Sequence, residues 1–319
     1  MLLNKENITS LEICAGAGGQ ALGIEQAGFH PLAFVENDRN ACETLRVNRP
    51  QWNVIEQDVC HFSAKDYAGV DLFAAGVPCP PFSVAGKQIG AGDDRDLFPQ
   101  AMRLIAECQP RAVLLENVRG LLDPAFAAYR FWIDEQLSCL GYIPKWKLLN
   151  ACDFGVPQLR PRVLCVALPE NSAPHFAWPE PSNEPPRTVG EALRELMGAG
   201  GWEGAETWAA QADKIAPTLV GGSKKHGGPD LGPTRARAAW AALGVNGGKL
   251  ALEPPPPGQS EAPHLTVTMA ARIQGFPAEW RFSGSKTAAY RQVGNAFPPP
   301  VAYAVSAAIR RALVSTEAE

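Results

Sequence analysis

Between Ile8 and Leu168 short β-rich apolar runs alternate with stretches of helical spacing, and few folds accept such a pattern. The candidate strands are ITSLEIC (8–14), PLAFVE (31–36), VDLFAAG (70–76), RAVLLEN (111–117) and RVLCVAL (162–168). Between them QALGIEQAG, RNACETLRVN and LFPQAMRLIAEC space their apolar residues as helices do. Strands alternating with helices predict βαβ units and a parallel sheet covered on both faces, an α/β doubly wound, Rossmann-like domain. A chain of 319 residues can bury such a core and has room for a second, smaller domain.

After Leu168 proline and glycine take over, in PENSAPHFAWPEPSNEPP, MGAGGWEG, VGGSKKHGGPDLGP and EPPPPGQ. These runs break regular elements, so an irregular second domain is expected from Pro169 to Pro263. Trp178, Trp202, Trp208 and Trp240 argue for a folded one, since disordered segments are poor in large aromatics. From His264 helical spacing returns, in LTVTMAARIQGF and in PPPVAYAVSAAIRRAL, whose prolines suit a helix start.

Two broad classes are disfavoured. No stretch reaches the roughly 20 apolar residues of a membrane helix, and Lys5 and Glu6 stand where a signal peptide would be apolar. The eight cysteines include no C-x-x-C pair and all precede residue 166, which suits neither a zinc site nor a disulfide framework, so a reducing cytoplasm is expected. The net charge of -4 gives no global attraction to nucleic acid, although a local patch can be hidden in the sum.

Three constellations carry chemistry. Strand LEIC runs into AGAGG (15–19) and then a helix, a loop whose glycines Gly16, Gly18 and Gly19 let a nucleotide-like ligand lie against the backbone. Glu36 ends the next strand, where an acid can bind both ribose hydroxyls, and Asp58 in EQDV adds an acceptor for an adenine amino group. The second is GVPCPPFSVAGKQ (76–88), where prolines 78, 80 and 81 hold Cys79 beyond the carboxyl end of a strand. A thiol must ionise to attack, and Arg160 and Arg162 in QLRPR are candidate sources of the positive charge that favours the thiolate. The third is LLENVRG (114–120): Glu116, ending an apolar strand at the same edge, is either an acid of raised pKa or a structural group, a helix N-cap or a strand-end ion pair.

AGAGG, VEND, QDV, the Pro-Cys loop, ENVRG, QLRPR, RIQGFP and YRQVGNAFPPP occur in this order along nearly the whole chain. In this the sequence resembles the DNA (cytosine-5) methyltransferases of bacterial restriction-modification type. The resemblance implies a methyltransferase domain over 1–168, completed by 264–319, and a target-recognition domain over 169–263. It implies that Gly16, Gly18, Glu36 and Asp58 hold S-adenosylmethionine, with Cys14, Ala15, Gly19, Asn37, Val59, Pro78 and Leu97 beside them and Asn295 and Phe297 closing over it. Cys79 would be the nucleophile, Glu116 the group that binds N3 and the amino group of cytosine, and Arg162 the contact to its carbonyl. Arg160 would position the catalytic loop or a phosphate. The resemblance leaves open which group removes the C5 proton, a bound water or a side chain. Duplex DNA is the implied substrate, a cognate restriction endonuclease the implied partner, and the chain is taken as a monomer.

Five positions depart from the family's usual pattern. Cys14 stands where phenylalanine is usual, Asn37 where a large apolar residue is frequent, Thr268 and Met269 where an Arg-Glu pair is common, and Pro80 where glutamine is commoner. On the DNA side the resemblance points to Ser83, Gln88 and Arg95 in the Pro-Cys segment and to Thr218 in APTLVGG. Between Lys214 and Lys249 six basic residues, among them Lys224, Lys225, Arg235 and Arg237, face Asp230 alone, a local net of +5 suited to phosphates. An RNA cytosine methyltransferase and a silent DNA-binding module are the rival readings; the basic segment favours duplex DNA, and intact Cys79, Glu116 and Arg162 favour an enzyme. A thiol hydrolase is disfavoured because none of the five histidines sits in a Cys-His motif with Cys79.

Overall fold

The computed structural model describes residues 8–78, 96–222, 228 and 230–317. Cys79, Ser83, Gln88, Arg95, Lys224 and Lys225, all singled out above, lie outside the described residues. The first half lays down β1 (Ile8–Ile13), α1 (Gly19–Gln26), β2 (Phe29–Glu36), α2 (Arg39–Asn48), β3 (Val54–Glu56), β4 (Leu72–Gly76) and α3 (Phe98–Cys108). It continues through β5 (Ala112–Val118), α4 (Ala127–Cys139), β6 (Tyr142–Asn150) and β7 (Pro161–Pro169).

These strands form one sheet in the order β3-β2-β1-β4-β5-β7-β6. The strands β3 to β5 are parallel, and the central ones are buried on both faces because helices cover both sides. The chain runs outward from β1 to β3, then returns to β4 on the other side of β1. The crevice where ligands gather in such sheets therefore opens at the carboxyl ends of β1 and β4.

The expected all-parallel sheet needs correction at one edge. β7 runs antiparallel to both β5 and β6, because the connection 151–160 is too short to hold a crossover helix and returns the chain in the opposite direction. β6 carries Pro144, which an edge strand tolerates because one side of its backbone has no ladder to complete.

The second half is more regular than its punctuation suggests. It contains α5 (Val189–Gly198), α6 (Ala205–Gln211), α7 (Thr234–Ala241), α8 (Val267–Gln274), α9 (Lys286–Asn295) and α10 (Pro299–Thr316). α5 opens on a capping box in which Thr188 and Glu191 each bond the other's backbone N–H. Leu193, Met197, Trp208 and Trp240 form its core, and that core continues without a break into Leu22, Phe34, Leu45 and Trp52 of the first half. At the head of α8, Met269 occupies the place of the acid in a capping box: its N–H donates to Thr266 Oγ1 at 3.2 Å, and its sulfur receives the Thr266 N–H at 3.4 Å.

α10 returns to the sheet and packs on α1. A Cβ on Gly23 would lie 2.5 Å from that of Ala302, so only glycine allows the two helices this approach. The far end of α10 is tied to β5 by Arg111, which pairs with Asp71 at 2.8 Å and Glu317 at 2.7 Å and donates to Leu313 O. Among the described residues no helix is long and apolar enough to cross a membrane.

Candidate active site

At the carboxyl ends of β1, β2 and β4 lies a cleft, and Cys14, Glu36, Asn37, Val59, Pro78 and Leu97 line it. Val35 and Gln57 complete the wall, two residues the sequence reading missed. Gln57 was within reach of that reading, since it precedes Asp58 and its N–H donates to Glu36 O at 3.0 Å.

The loop at the head of the cleft is shaped by left-handed backbone at Cys14 (φ 52°), Gly16 (φ 54°) and Gly18 (φ 85°). Gly18 and Gly19 are closed in: a Cβ would strike Leu45 at 2.7 Å in the first and the Phe297 carbonyl at 2.2 Å in the second. Gly16 faces open space instead, with nothing within 4 Å of an added Cβ. Glu36 locks this arrangement, one oxygen accepting from Gly16 N–H at 2.8 Å and the other from Asn37 and Asp38 N–H at 2.8 and 2.7 Å. Three of roughly four acceptor sites are thereby filled, which leaves room for about one ribose hydroxyl.

Two buried polar side chains adjoin the loop. Glu12 Oε2 and both amide atoms of Gln20 have no hydrogen-bond partner among the described residues. Burial, then the charge of Glu36, pushes the Glu12 carboxyl well above its usual range. Burial likewise raises the Cys14 thiol, reinforced by Glu36, so Cys14 faces the cleft uncharged. Asp58 stands just outside the cleft wall, exposed, and is held below its usual range by the Cys60 N–H and thiol. An open backbone face at Gly16, a carboxylate with one free acceptor site and an uncharged, partly apolar wall fit the adenosine of S-adenosylmethionine.

Asn295 and Phe297 are not among the residues lining this cleft. Asn295 is exposed and donates to Gly222 O at 3.2 Å, while Phe297 is buried in the α10 core with its carbonyl against Gly19.

On the other flank of β4, Glu116 accepts from Arg162 Nε at 2.8 Å, with side chains only 12% and 11% exposed. The antiparallel register creates this pair: Val118 stands opposite Arg162, which puts Glu116 one diagonal step away. Burial raises the Glu116 pKa, and Arg162 and then Arg160 draw it part of the way back. Burial lowers that of Arg162, with Glu116 opposing. Both halves of the sequence alternative for Glu116 therefore hold together, since the paired carboxyl still binds a proton more readily than one in water.

Gly76, ending β4, joins the two flanks. A Cβ there would lie 3.6 Å from Glu116 Oε2 and 3.8 Å from Cys14 O, so the chain leaves β4 between cleft and ion pair, one residue pair before Cys79. Asn117 fixes that exit by donating to Val77 O at 3.0 Å from a buried position. The sequence signal for Asn117 was a polar residue inside an apolar strand.

Arg160 is fully buried and donates to the carbonyls of Leu219 (2.9 Å), Gly294 (2.7 Å) and Ala296 (3.0 Å). This corrects the phosphate alternative, because three backbone oxygens from two distant segments take up the guanidinium. Burial, then the like charge of Arg162, holds its pKa well below the ordinary value, with Glu116 opposing. Gln158 and Gln274, which the sequence reading missed, extend the junction: Gln158 accepts the Leu219 N–H at 2.9 Å and donates to Gln274 Oε1 at 2.7 Å. Thr218 donates its hydroxyl to Leu159 O, and Leu159 N–H donates to Ala216 O at 2.8 Å, so APTLV is held against QLRPR. Farther out, Arg235 and Arg237 are exposed on α7, and Arg237 lines an open groove with Thr234 and Asn246.

Residues 8–311 match the model of the family described as C-5 cytosine-specific DNA methylase. The chain is 57% identical over 314 residues to the type II methyltransferase M.NaeI of Lentzea aerocolonigenes, covering 97% of this chain and 76% of that one. It is 55% identical over 309 residues to M.NgoMIV of Neisseria gonorrhoeae, covering 96% and 98%. Its fold is shared with a putative DNA modification methyltransferase encoded within an Escherichia coli prophage, at TM-score 0.65, 22% identity and coverage of 98% and 100%. Spodoptera frugiperda DNMT2 follows at TM-score 0.60, 18% identity and coverage of 98% and 99%. The chain thus belongs to the C-5 cytosine-specific DNA methylase family, as a DNA cytosine-5 methyltransferase of bacterial restriction-modification type with S-adenosylmethionine as its methyl donor.

Proposed function

We propose that the enzyme methylates a cytosine swung out of duplex DNA, through a covalent bond between Cys79 and carbon 6 of the base. The observation that carries this reading is the position of Gly76, which ends β4 between the cofactor cleft and the Glu116–Arg162 pair. Carbon 5 of cytosine is a weak nucleophile, and addition of a thiolate at carbon 6 turns it into an enamine. That addition places charge on N3, where Glu116, with its raised pKa, donates a proton or hydrogen bond. Arg162 holds Glu116 in place and faces the base carbonyl. When bound, S-adenosylmethionine supplies an electrophilic methyl group on a sulfonium. Transfer of the C5 proton to a base at the site, a bound water or a side chain, then re-forms the double bond as the bond to Cys79 breaks and the thiolate leaves. The reacting carbons are covered in a stacked duplex, which is why the base must be extruded.

Gly16 and Glu36, with Cys14, Asn37, Val59, Pro78 and Leu97, hold the cofactor, and Asp58 flanks them. Residues 169–263 form the target-recognition domain and the remainder the catalytic domain. Thr218 approaches the DNA near the base, and Arg235 and Arg237 approach phosphates. The enzyme works as a monomer in the bacterial cytoplasm, where its DNA lies, alongside a cognate restriction endonuclease. The test is a duplex substrate carrying 5-fluorocytosine, which has no C5 proton to lose. A trapped complex whose modified peptide contains Cys79 is expected; a complex trapped through another residue, or on the Cys79→Ser variant, would overturn the mechanism.

A further inference from the structure

We infer that Trp280, contributed from the far end of the chain, is a positioning residue for the cofactor-binding loop. Trp280 is buried, and its indole N–H donates to Ala17 O at 3.2 Å. The nitrogen of the same peptide, Gly18 N–H, donates to Ala15 O at 3.1 Å. A trans peptide is rigid and planar, so one bond to its oxygen and one to its nitrogen fix the plane. The turn thus clamped, Ala15 to Gly18, has Gly16 within it, whose N–H donates at 2.8 Å to Glu36, a carboxylate that lines the cleft.

Two further interactions hold the indole where it can do this. Its ring lies 3.0 Å from where a Cβ on Gly18 would stand, so glycine at 18 is what lets the ring approach. The Arg49 guanidinium lies 5.3 Å from the ring centroid, a cation over an aromatic face. Arg49 is itself steered by Glu25 of α1, which accepts from Arg49 Nε and Trp52 Nε1, each at 2.9 Å. Glycine loops lose ligand affinity when they must first be ordered, and a clamp supplied by the folded chain removes that cost.

This inference rests on the reading that the loop lines the cofactor site, so its test needs a control on that reading. Trp280→Phe keeps an aromatic ring and removes the N–H. The affinity of the folded variant for S-adenosylhomocysteine, measured by calorimetry, should fall about fivefold, as loss of one buried hydrogen bond predicts. KM for S-adenosylmethionine should rise by the same factor with kcat at saturation within twofold, and affinity for duplex DNA without cofactor should be unchanged. Cofactor affinity within twofold of wild type, whatever the melting temperature does, would overturn the role. So would a parallel loss of cofactor and DNA affinity, which marks a general structural defect. Glu36→Ala separates the two ideas: if that variant also binds S-adenosylhomocysteine normally, the cleft is not the cofactor site.

Discussion

The two flanks of β4 solve different problems with different materials. On the side proposed for the cofactor the chain uses backbone: a left-handed turn, N–H groups gathered on Glu36, and glycines that either admit close packing or stay open. On the other side it uses charge, a carboxylate and a guanidinium removed from water and held at 2.8 Å. Backbone groups gathered on one carboxylate can bind a nucleoside without perturbing its chemistry, whereas a buried ion pair alters proton affinity, and that is the property a reaction at a ring nitrogen requires. The two flanks can therefore be damaged separately.

The largest expected effect is on the charged flank. Glu116→Gln should lower kcat by about 10²- to 10⁴-fold, the usual worth of a positioned acid, and leave cofactor affinity within twofold. The same residue gives a stability signature. Folded Glu116 holds its proton more tightly than the unfolded chain does, so its contribution is fully present below the ordinary carboxylate pKa and is lost as pH rises through the raised folded value. Urea unfolding followed across mildly acidic pH should show this loss in wild type, and the Glu116→Gln variant should lack it. An unchanged pH profile would mean that Arg162 fully compensates the burial.

A smaller effect is expected on the backbone flank. Glu36→Ala strands three backbone N–H groups as well as the ribose, and should cost roughly 1–3 kcal/mol of cofactor affinity by calorimetry. The rate of a single turnover at saturating cofactor should change little. If Glu36→Ala slowed that step as severely as Glu116→Gln, the separation of the flanks would fail.

How much of this the sequence disclosed follows from the same contrast. Strands β1, β2, β4, β5 and β7 are apolar runs between turn signals and could be read directly. β6 could not, because Pro144, Lys145 and Lys147 belong to an edge strand that is only half-buried. α4 hides similarly, with Ile133 and Leu137 as its buried residues. The glycine loop and Glu36 are local features, legible from spacing. The pairing of Glu116 with Arg162 depends on the register of an antiparallel strand, and the burial of Arg160 on carbonyls from positions 219, 294 and 296. Such long-range arrangements leave no local trace. Gln158 and Gln274 went unseen for that reason, and so did Trp280.

The smallest effect belongs to the recognition surface. Replacing Arg235 and Arg237 together with alanine should weaken DNA binding and flatten its dependence on salt, the log-log slope falling by about 0.9 for each phosphate no longer neutralised. Turnover of bound DNA should be preserved. A double variant that keeps its salt slope and methylates new sequences would show that these arginines read bases instead.

The most direct test of the central claim, that one chain segment leaving β4 carries the nucleophile between a cofactor cleft and a proton-binding pair, is bisulfite sequencing of DNA from cells expressing the enzyme. Wild type should leave 5-methylcytosine at every copy of one short sequence, while Cys79→Ser should leave none although it folds and binds S-adenosylhomocysteine normally. Methylation retained at the same sites in the serine variant would contradict the account.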